Sequence, residues 1–178
     1  MKIRLANASD VEAMMHLGHH MHRESRFAHY PMGDKKVREA IGSILSEPKA
    51  NCILLAEHDQ AGLVGMLAGC VTPLFFTDVL IAQDRWFYVA KEHRGSAAAL
   101  KLLVAFRRWA ENRQAKELNI NMSVDIDQAR FNQFMTHMDF KSCGSNFVLP
   151  LTVQSASAVT RGAMPPVMPP SKAPAIMH

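Results

Sequence analysis

Asp84-Arg85-Trp86-Phe87-Tyr88-Val89-Ala90-Lys91-Glu92-His93-Arg94-Gly95-Ser96-Ala97-Ala98-Ala99-Leu100-Lys101-Leu102-Leu103 is the stretch that decides the fold. From Arg85 to Ala90 the residues are aromatic and β-branched, as a buried strand requires. Lys91 to Ser96 are polar and include a glycine, which reads as a tight turn. The alanines and leucines from Ala97 onward then start a long helix. A strand that passes through small residues into a helix start is suited to an anion. The first N–H groups of the helix have no intrahelical acceptor, its dipole favours negative charge, and small side chains let a ligand reach the backbone. The plain alternative is a helix start whose small residues pack against a neighbouring strand.

Working outward, residues 51–58 form a strand, 59–62 a turn and 63–72 the returning strand of a hairpin. Pro73 ends that strand and leaves 74–82 as a loop or partial strand. Upstream, residues 2–6 read as a strand, Asn7-Ala8-Ser9-Asp10 as a helix cap, and 11–26 as a helix. Tyr30-Pro31-Met32-Gly33-Asp34 breaks the chain before a second helix over 35–46. Downstream of the deciding stretch, a helix over 97–114 is followed by a strand over 118–124, a helix over 128–138 and a strand over 146–151. The helix from Ala97 directs Leu100, Leu103, Val104, Phe106 and Trp109 toward a core, with Lys101, Arg107, Arg108 and Arg113 outside.

A chain of 178 residues holds one domain with a sizeable core. The apolar and charged fractions are those of an ordinary globular protein. No apolar run approaches the roughly 20 residues of a membrane helix. The opening Met1-Lys2-Ile3-Arg4-Leu5 reads as a strand rather than a signal peptide. Cys52, Cys70 and Cys143 are an odd number with no Cys-x-x-Cys pair. They read as buried filler in a reduced, cytoplasmic protein. A net charge of +4 suits an anionic ligand but does not argue for nucleic acid.

Arg94-Gly95-Ser96-Ala97-Ala98-Ala99 resembles the pyrophosphate loop of the GNAT superfamily of acetyl-CoA-dependent N-acetyltransferases. The family pattern is Gln/Arg-x-x-Gly-x-Gly/Ala after its fourth strand. Arg94 fills the first position and Ala99 the last, while Ala97 stands where glycine is usual. The β-α-α-β-β-β-α-β-α-β order over 1–151 is the family's own. So are the opening Ile3-Arg4-Leu5-Ala6 with Ser9-Asp10, and Met138-Asp139-Phe140 in place of Leu-Gly-Phe. Met21-His22-Arg23-Glu24-Ser25-Arg26-Phe27, with the Pro and Asp-Lys-Lys-Val that follow, looks most like small GNAT proteins of tailed phages. On that likeness the protein resides in the host cytoplasm or the virion.

The resemblance implies an α/β (α+β) GNAT fold: a mixed, mostly antiparallel sheet with flanking helices and a splay between strands 4 and 5. It implies acetyl-CoA as co-substrate and transfer of its acetyl group to an amine of a small molecule or protein. Val89 and its flanking peptides would bind pantetheine and polarise the thioester carbonyl. The backbone of Gly95, Ser96, Ala97, Ala98 and Ala99 would hold the pyrophosphate, and Arg94 would add charge. Pairing into a homodimer is common in such domains.

For proton transfer the resemblance points to Asp84, early in the fourth strand, as general base. Alternation sets it on the face of Trp86 and Tyr88. Glu24, ending the first helix, is the second carboxylate near the acceptor mouth. The plain alternatives are a strand-start turn residue and a solvated helix-end carboxylate. Aligning Asp139-Phe140 with Gly-Phe puts Met135 where the family has a tyrosine acid, so the thiolate's proton falls to Tyr88, Tyr30, water or no acid. His16, His19, His20 and His22 share the first helix, but a third metal ligand is not evident, and no metal is expected.

From Thr152 the composition turns to small residues and then to Met164-Pro165-Pro166-Val167-Met168-Pro169-Pro170. This makes 152–178 a tail, extended at about 3.1 Å per residue where ordered. Such an arm suits an apolar groove on a protein partner. It supports a second function class: a non-catalytic GNAT-fold interaction or particle-associated protein.

Overall fold

The computed structural model describes residues 1–121, 127–144 and 148–149. The chain divides into two compact units, Met1–Phe134 and Met135–His178. The sheet belongs to the first.

Five strands form it: β1 (Lys2–Leu5), β2 (Asn51–His58), β3 (Gly62–Pro73), β4 (Leu80–Val89) and β5 (Glu117–Asn119), in the order β1-β2-β3-β4-β5. The first three pairings are antiparallel and β4 pairs with β5 in parallel. The helices are α1 (Val11–Arg23), α2 (Asp34–Ser46), α3 (Ala98–Glu111) and α4 (Gln128–His137), the last running across the boundary between the units. This is a mixed α+β sheet with flanking helices.

Residues opposite one another in the ladder share a face, so register assigns each side of the sheet. Ile53, Leu55, Met66, Ala68 and Tyr88 face α1 and α2, where Met14, Met15, Leu17, Ile41 and Ile44 complete a buried cluster. The opposite face meets α3. A Cβ at Gly65 would lie 3.2 Å from Leu102, and one at Gly69 would overlap the ring of Phe106. Glycine in β3 is therefore a packing requirement, because it lets a large aromatic sit against the strand.

Several boundaries differ from the sequence expectation. β4 starts at Leu80, not at Arg85, because β3 runs to Pro73 and supplies partners for Leu80 and Ile81. The Leu74 N–H closes the connecting turn on Val79 O at 3.1 Å. α1 ends at Arg23, where the Glu24 N–H caps onto the His20 and His22 carbonyls. α3 ends at Glu111 and the chain leaves it through Gln114 at φ 59°. On α3, Leu102 takes the buried place expected of Leu100, which is 44 % exposed. The buried set Ala98, Leu102, Leu103, Phe106, Trp109 and Ala110 is the helical stripe nearest the sheet.

Cys52 and Cys70 are buried and free, and burial pushes the Cys52 thiol up to about 12. Cys143 is exposed, correcting its reading as buried filler; it follows α4, in a polar stretch of chain that belongs to no helix or strand. Asp139, standing where the family pattern has glycine, adopts φ 66°. The Phe140 N–H reaches back to Met135 O at 3.0 Å, which closes the end of α4. No helix among the described residues is long and apolar enough to cross a membrane. Of the strand expected over 146–151 only residues 148–149 are described, and they are in no strand; the rest of it, the tail over 152–178 and the end of the strand expected over 118–124 lie outside the described residues.

One charged network joins β1, β2 and the entry to α1. Arg4 donates to both carboxylate oxygens of Asp10, at 2.8 and 2.6 Å, and to Glu57 Oε1 at 2.8 and 2.6 Å. Asp10 also accepts from the Asn7 N–H at 2.8 Å, completing a capping box. The Arg4 hydrogen bonds outweigh burial and hold the Asp10 carboxyl below its ordinary value.

Two predictions follow from the packing and from this network. Gly69→Ala lowers stability by about 2 kcal/mol through overpacking, and Phe106→Leu in the same chain restores part of it. Urea midpoints check this, and an unchanged midpoint for the single variant refutes it. Asp10→Asn costs about 2 kcal/mol at pH 7 by removing charge-assisted hydrogen bonds. A depressed carboxylate stabilises fully above its unfolded pKa of roughly 3.9. That contribution fades as pH falls through the lower folded value. The gap between Asp10→Asn and wild type in urea unfolding therefore narrows below about pH 4.

Candidate functional site

The register of β4 changes once. Ala68 pairs with Trp86 but Gly69 pairs with Asp84, so Arg85 is an extra residue, a β-bulge. The bulge breaks alternation. Trp86 and Tyr88 face α1 and α2, whereas Asp84, opposite Gly69, takes the α3 face. This corrects the expectation that Asp84 shares a face with the two aromatics. Asp84 also lies inside β4 rather than at its start.

β5 follows β4 only from Ile81 to Gln83, the last pair being Gln83 with Asn119. From Asp84 to Val89 that edge of β4 has no strand beside it among the described residues. At the point of separation the Asp84 carboxylate replaces the ladder. Its Oδ1 accepts the Asn121 N–H at 2.8 Å and the Asn121 side-chain amide at 3.2 Å. Burial pushes the Asp84 carboxyl up, with the Asn121 bonds opposing. The indole N–H of Trp86 is buried and has no acceptor among the described residues; nothing in the sequence signalled that.

At the other end of β4 the Ala90 N–H makes a last bond to Val64 O at 2.9 Å. One turn of 3-10 helix, Lys91–His93, then leads to Arg94 and Gly95. Gly95 stands at φ 90°, a conformation glycine adopts without strain. Ala97 has an ordinary φ of −71°, so the loop makes no backbone demand for glycine there. The Ala98 N–H donates to Ser96 Oγ at 3.2 Å. The N–H groups of Gly95, Ala97, Ala99 and Leu100 have no partner among the described residues. All four residues line a cavity of about 890 Å³ that also includes Val89, Arg94, Ser96 and, from the start of α4, Arg130, Phe131 and Phe134. Of the expected loop residues only Ala98 is not in that wall; it is wholly buried as the first residue of α3. Arg130, Phe131 and Phe134 were not legible in the sequence, because the segment before α4 gives no signal of where that helix packs.

Glu24 is drawn to this end of β4. Its Oε1 accepts the Tyr88 hydroxyl at 2.6 Å, and its Oε2 accepts from the Arg94 guanidinium. Arg94 Nε donates to Val89 O at 3.1 Å, and the guanidinium lies 5.5 Å over the Tyr88 ring. Burial works against the Glu24 charge, but Tyr88 and Arg94 together hold its carboxyl below the ordinary value. Burial, then the bond to Glu24, pushes the Tyr88 hydroxyl well up, so it stays protonated. The structure thus brings Glu24, Tyr88 and Arg94 together and sets Asp84 apart.

The helix histidines do not converge. His16 and His20 lie with ring centres 4.9 Å apart and their planes tilted by 52°, and His19 pairs with Asp34 at 3.3 Å. Among the described residues no group of three or more His, Cys, Asp or Glu side chains forms a metal site.

No protein-family model matches the chain, and no curated protein matches it by sequence. Solved structures do match. An aminoglycoside 6'-N-acetyltransferase of Acinetobacter haemolyticus superposes with a TM-score of 0.64 at 16 % identity, covering 86 % of this chain and 100 % of that one. A ribosomal-protein-alanine N-acetyltransferase of Brucella melitensis gives 0.63 at 20 % identity over 85 % and 100 %. A GNAT family acetyltransferase of Staphylococcus aureus gives 0.60 at 16 % over 84 % and 98 %. The phage likeness of residues 21–27 finds no support among them. At these identities the likeness is one of fold, and the chain has the fold of the GNAT acetyltransferases.

Proposed function

We propose that the chain binds acetyl-CoA along β4 and transfers its acetyl group to an amine. The observation that carries this reading is the set of open N–H groups on Gly95, Ala97, Ala99 and Leu100 in the wall of one cavity. Unpaired backbone donors at a helix start suit a pyrophosphate. The edge of β4 from Val89 back to Asp84, unpaired among the described residues, suits an amide-bearing arm that pairs as an added strand. The arm runs about five residues, roughly 17 Å at strand spacing. It would then end near the point where Asp84 and Asn121 close the separation of β4 and β5. Bound there, acetyl-CoA supplies an activated thioester. The neutral amine nitrogen attacks the thioester carbon; a C–N bond forms and the C–S bond breaks. The proton lost by nitrogen matches the one gained by the thiolate.

Of the three candidates for proton transfer, Asp84 has the suitable chemistry. Burial makes it more basic than an ordinary aspartate, whereas Glu24 is ionised and already accepts two donors. The Tyr88 hydroxyl donates its hydrogen bond to Glu24, so in this reading both residues position Arg94 and the loop. The acceptor class is an amine. An aminoglycoside, a peptide with N-terminal alanine, a lysine peptide and a polyamine form the screen, the first two because neighbouring structures carry those names.

A non-catalytic protein of the same fold is the second reading, favoured by Met135 standing where the family pattern has a tyrosine. Calorimetric titration with acetyl-CoA, CoA and ATP separates the two. Micromolar binding that prefers acetyl-CoA to ATP supports the enzyme; no binding overturns it in favour of the second reading. Ala97→Glu places a carboxylate among the open N–H groups and is expected to abolish CoA binding while leaving thermal unfolding unchanged. With an acceptor in hand, Asp84→Asn lowers kcat by about 10² or more while acetyl-CoA affinity persists. Glu24→Gln acts on affinity instead. Equal kcat for Asp84→Asn and wild type removes Asp84 as the base.

A further inference from the structure

The family pattern gives the positive charge at the pyrophosphate to the arginine that opens the loop. In this chain that arginine is otherwise engaged. Arg94 donates to Glu24 and to Val89 O, and its guanidinium lies over Tyr88. A guanidinium paired with a carboxylate carries little net field toward a phosphate. Another cation occupies the space Arg94 leaves. A methyl group built at Gly95 would lie 3.7 Å from Nη2 of Arg130, so that guanidinium rests directly over the open turn of the loop. Arg130 comes from the first turn of α4, where its N–H donates to Asp127 Oδ1 at 3.1 Å. Among the described residues no carboxylate pairs with its side chain, although Asp127 shares the cavity wall. Lys91 and the engaged Arg94 are the other cations of that wall.

Resting on the acetyl-CoA reading above, we propose that Arg130 is the cation that binds the pyrophosphate, with Arg94 serving to position the loop. Arginine presents a planar fork that matches phosphate oxygens two at a time, a geometry suited to clamping an anion against the N–H groups beneath it. Phe131 and Phe134, on the same helix and in the same cavity, set apolar surface beside that clamp. The site therefore discriminates a nucleotide-bearing thioester from one carrying only the pantetheine arm, and it does so from α4 rather than from the loop.

The test is calorimetric titration of the full chain with acetyl-CoA, acetyl-dephospho-CoA and S-acetylpantetheine, for wild type, Arg130→Gln and Arg130→Lys. Arg130 is exposed and its loss leaves the fold intact, which thermal unfolding verifies. The expected result is a loss of about tenfold or more for both nucleotide ligands in Arg130→Gln. S-acetylpantetheine affinity stays unchanged, and Arg130→Lys keeps part of the binding. Wild-type binding that Arg130→Gln leaves within twofold for every ligand overturns the assignment while the acetyl-CoA reading stands. A loss seen with acetyl-CoA but not with acetyl-dephospho-CoA also overturns it, because the contact would then be to the 3′-phosphate. Failure of wild type to bind acetyl-CoA overturns both.

Discussion

A single extra residue in β4 governs how the site is laid out. Arg85 has no opposite number in β3, so the side chains before and after it point to reversed faces. Trp86 and Tyr88 belong to the core beneath α1 and α2; Asp84 belongs to the α3 face and reaches Asn121. A bulge also adds twist to its strand, and the pairing of β4 with β5 ends at Gln83, just before it. Among the described residues an edge of backbone is left without a partner strand for six residues, from Asp84 to Val89. Without the bulge, Asp84 would stand beside Trp86 and Tyr88, and its carboxylate would not meet the Asn121 N–H.

The two ends of that open edge are held by different carboxylates in opposite electrostatic states. At Asp84, burial dominates and the acid is pushed toward its neutral form. At Glu24, a hydroxyl and a guanidinium overcome burial and hold the charge. The first suits a group that takes up a proton. The second suits a brace, since a fixed anion between Tyr88 and Arg94 ties the end of α1 to the end of β4. Environment, more than residue type, separates the two roles.

What the sequence disclosed follows the range over which each feature is determined. β2 was read at its true bounds, because an apolar run from Cys52 to Ala56 that leads into a polar turn needs only local information. The loop from Arg94 to Ala99 was legible for the same reason. The face of Asp84 was not, since a bulge is a property of two strands and the signal in β4 alone is ordinary alternation. Leu100 was misplaced because a helical stripe admits a neighbouring register until Gly65 and Gly69 fix where Leu102 and Phe106 sit. Glu24 is 70 residues from Arg94, so local pattern could assign a carboxylate to the region but not its partner. Arg130 belongs to no motif, and local pattern does not say where its helix packs.

The departures from the family pattern can now be ranked by what each position demands. Gly95 sits at φ 90°, where any side chain is strained, so glycine is needed there although the pattern leaves that position open. Ala97 sits at φ −71°, where alanine is at ease, so losing glycine there leaves the backbone donors where they are. Arg94 retains the family residue but binds inward, leaving the outer face of the loop to Arg130. A motif of this kind therefore specifies backbone geometry more strictly than charge. The dihedral requirement falls on one residue and admits no substitute nearby, whereas a positive charge can arrive from any element that borders the cavity. The strict requirement thus falls at Gly95, a position the pattern leaves open, and not at Ala97, where the pattern asks for glycine.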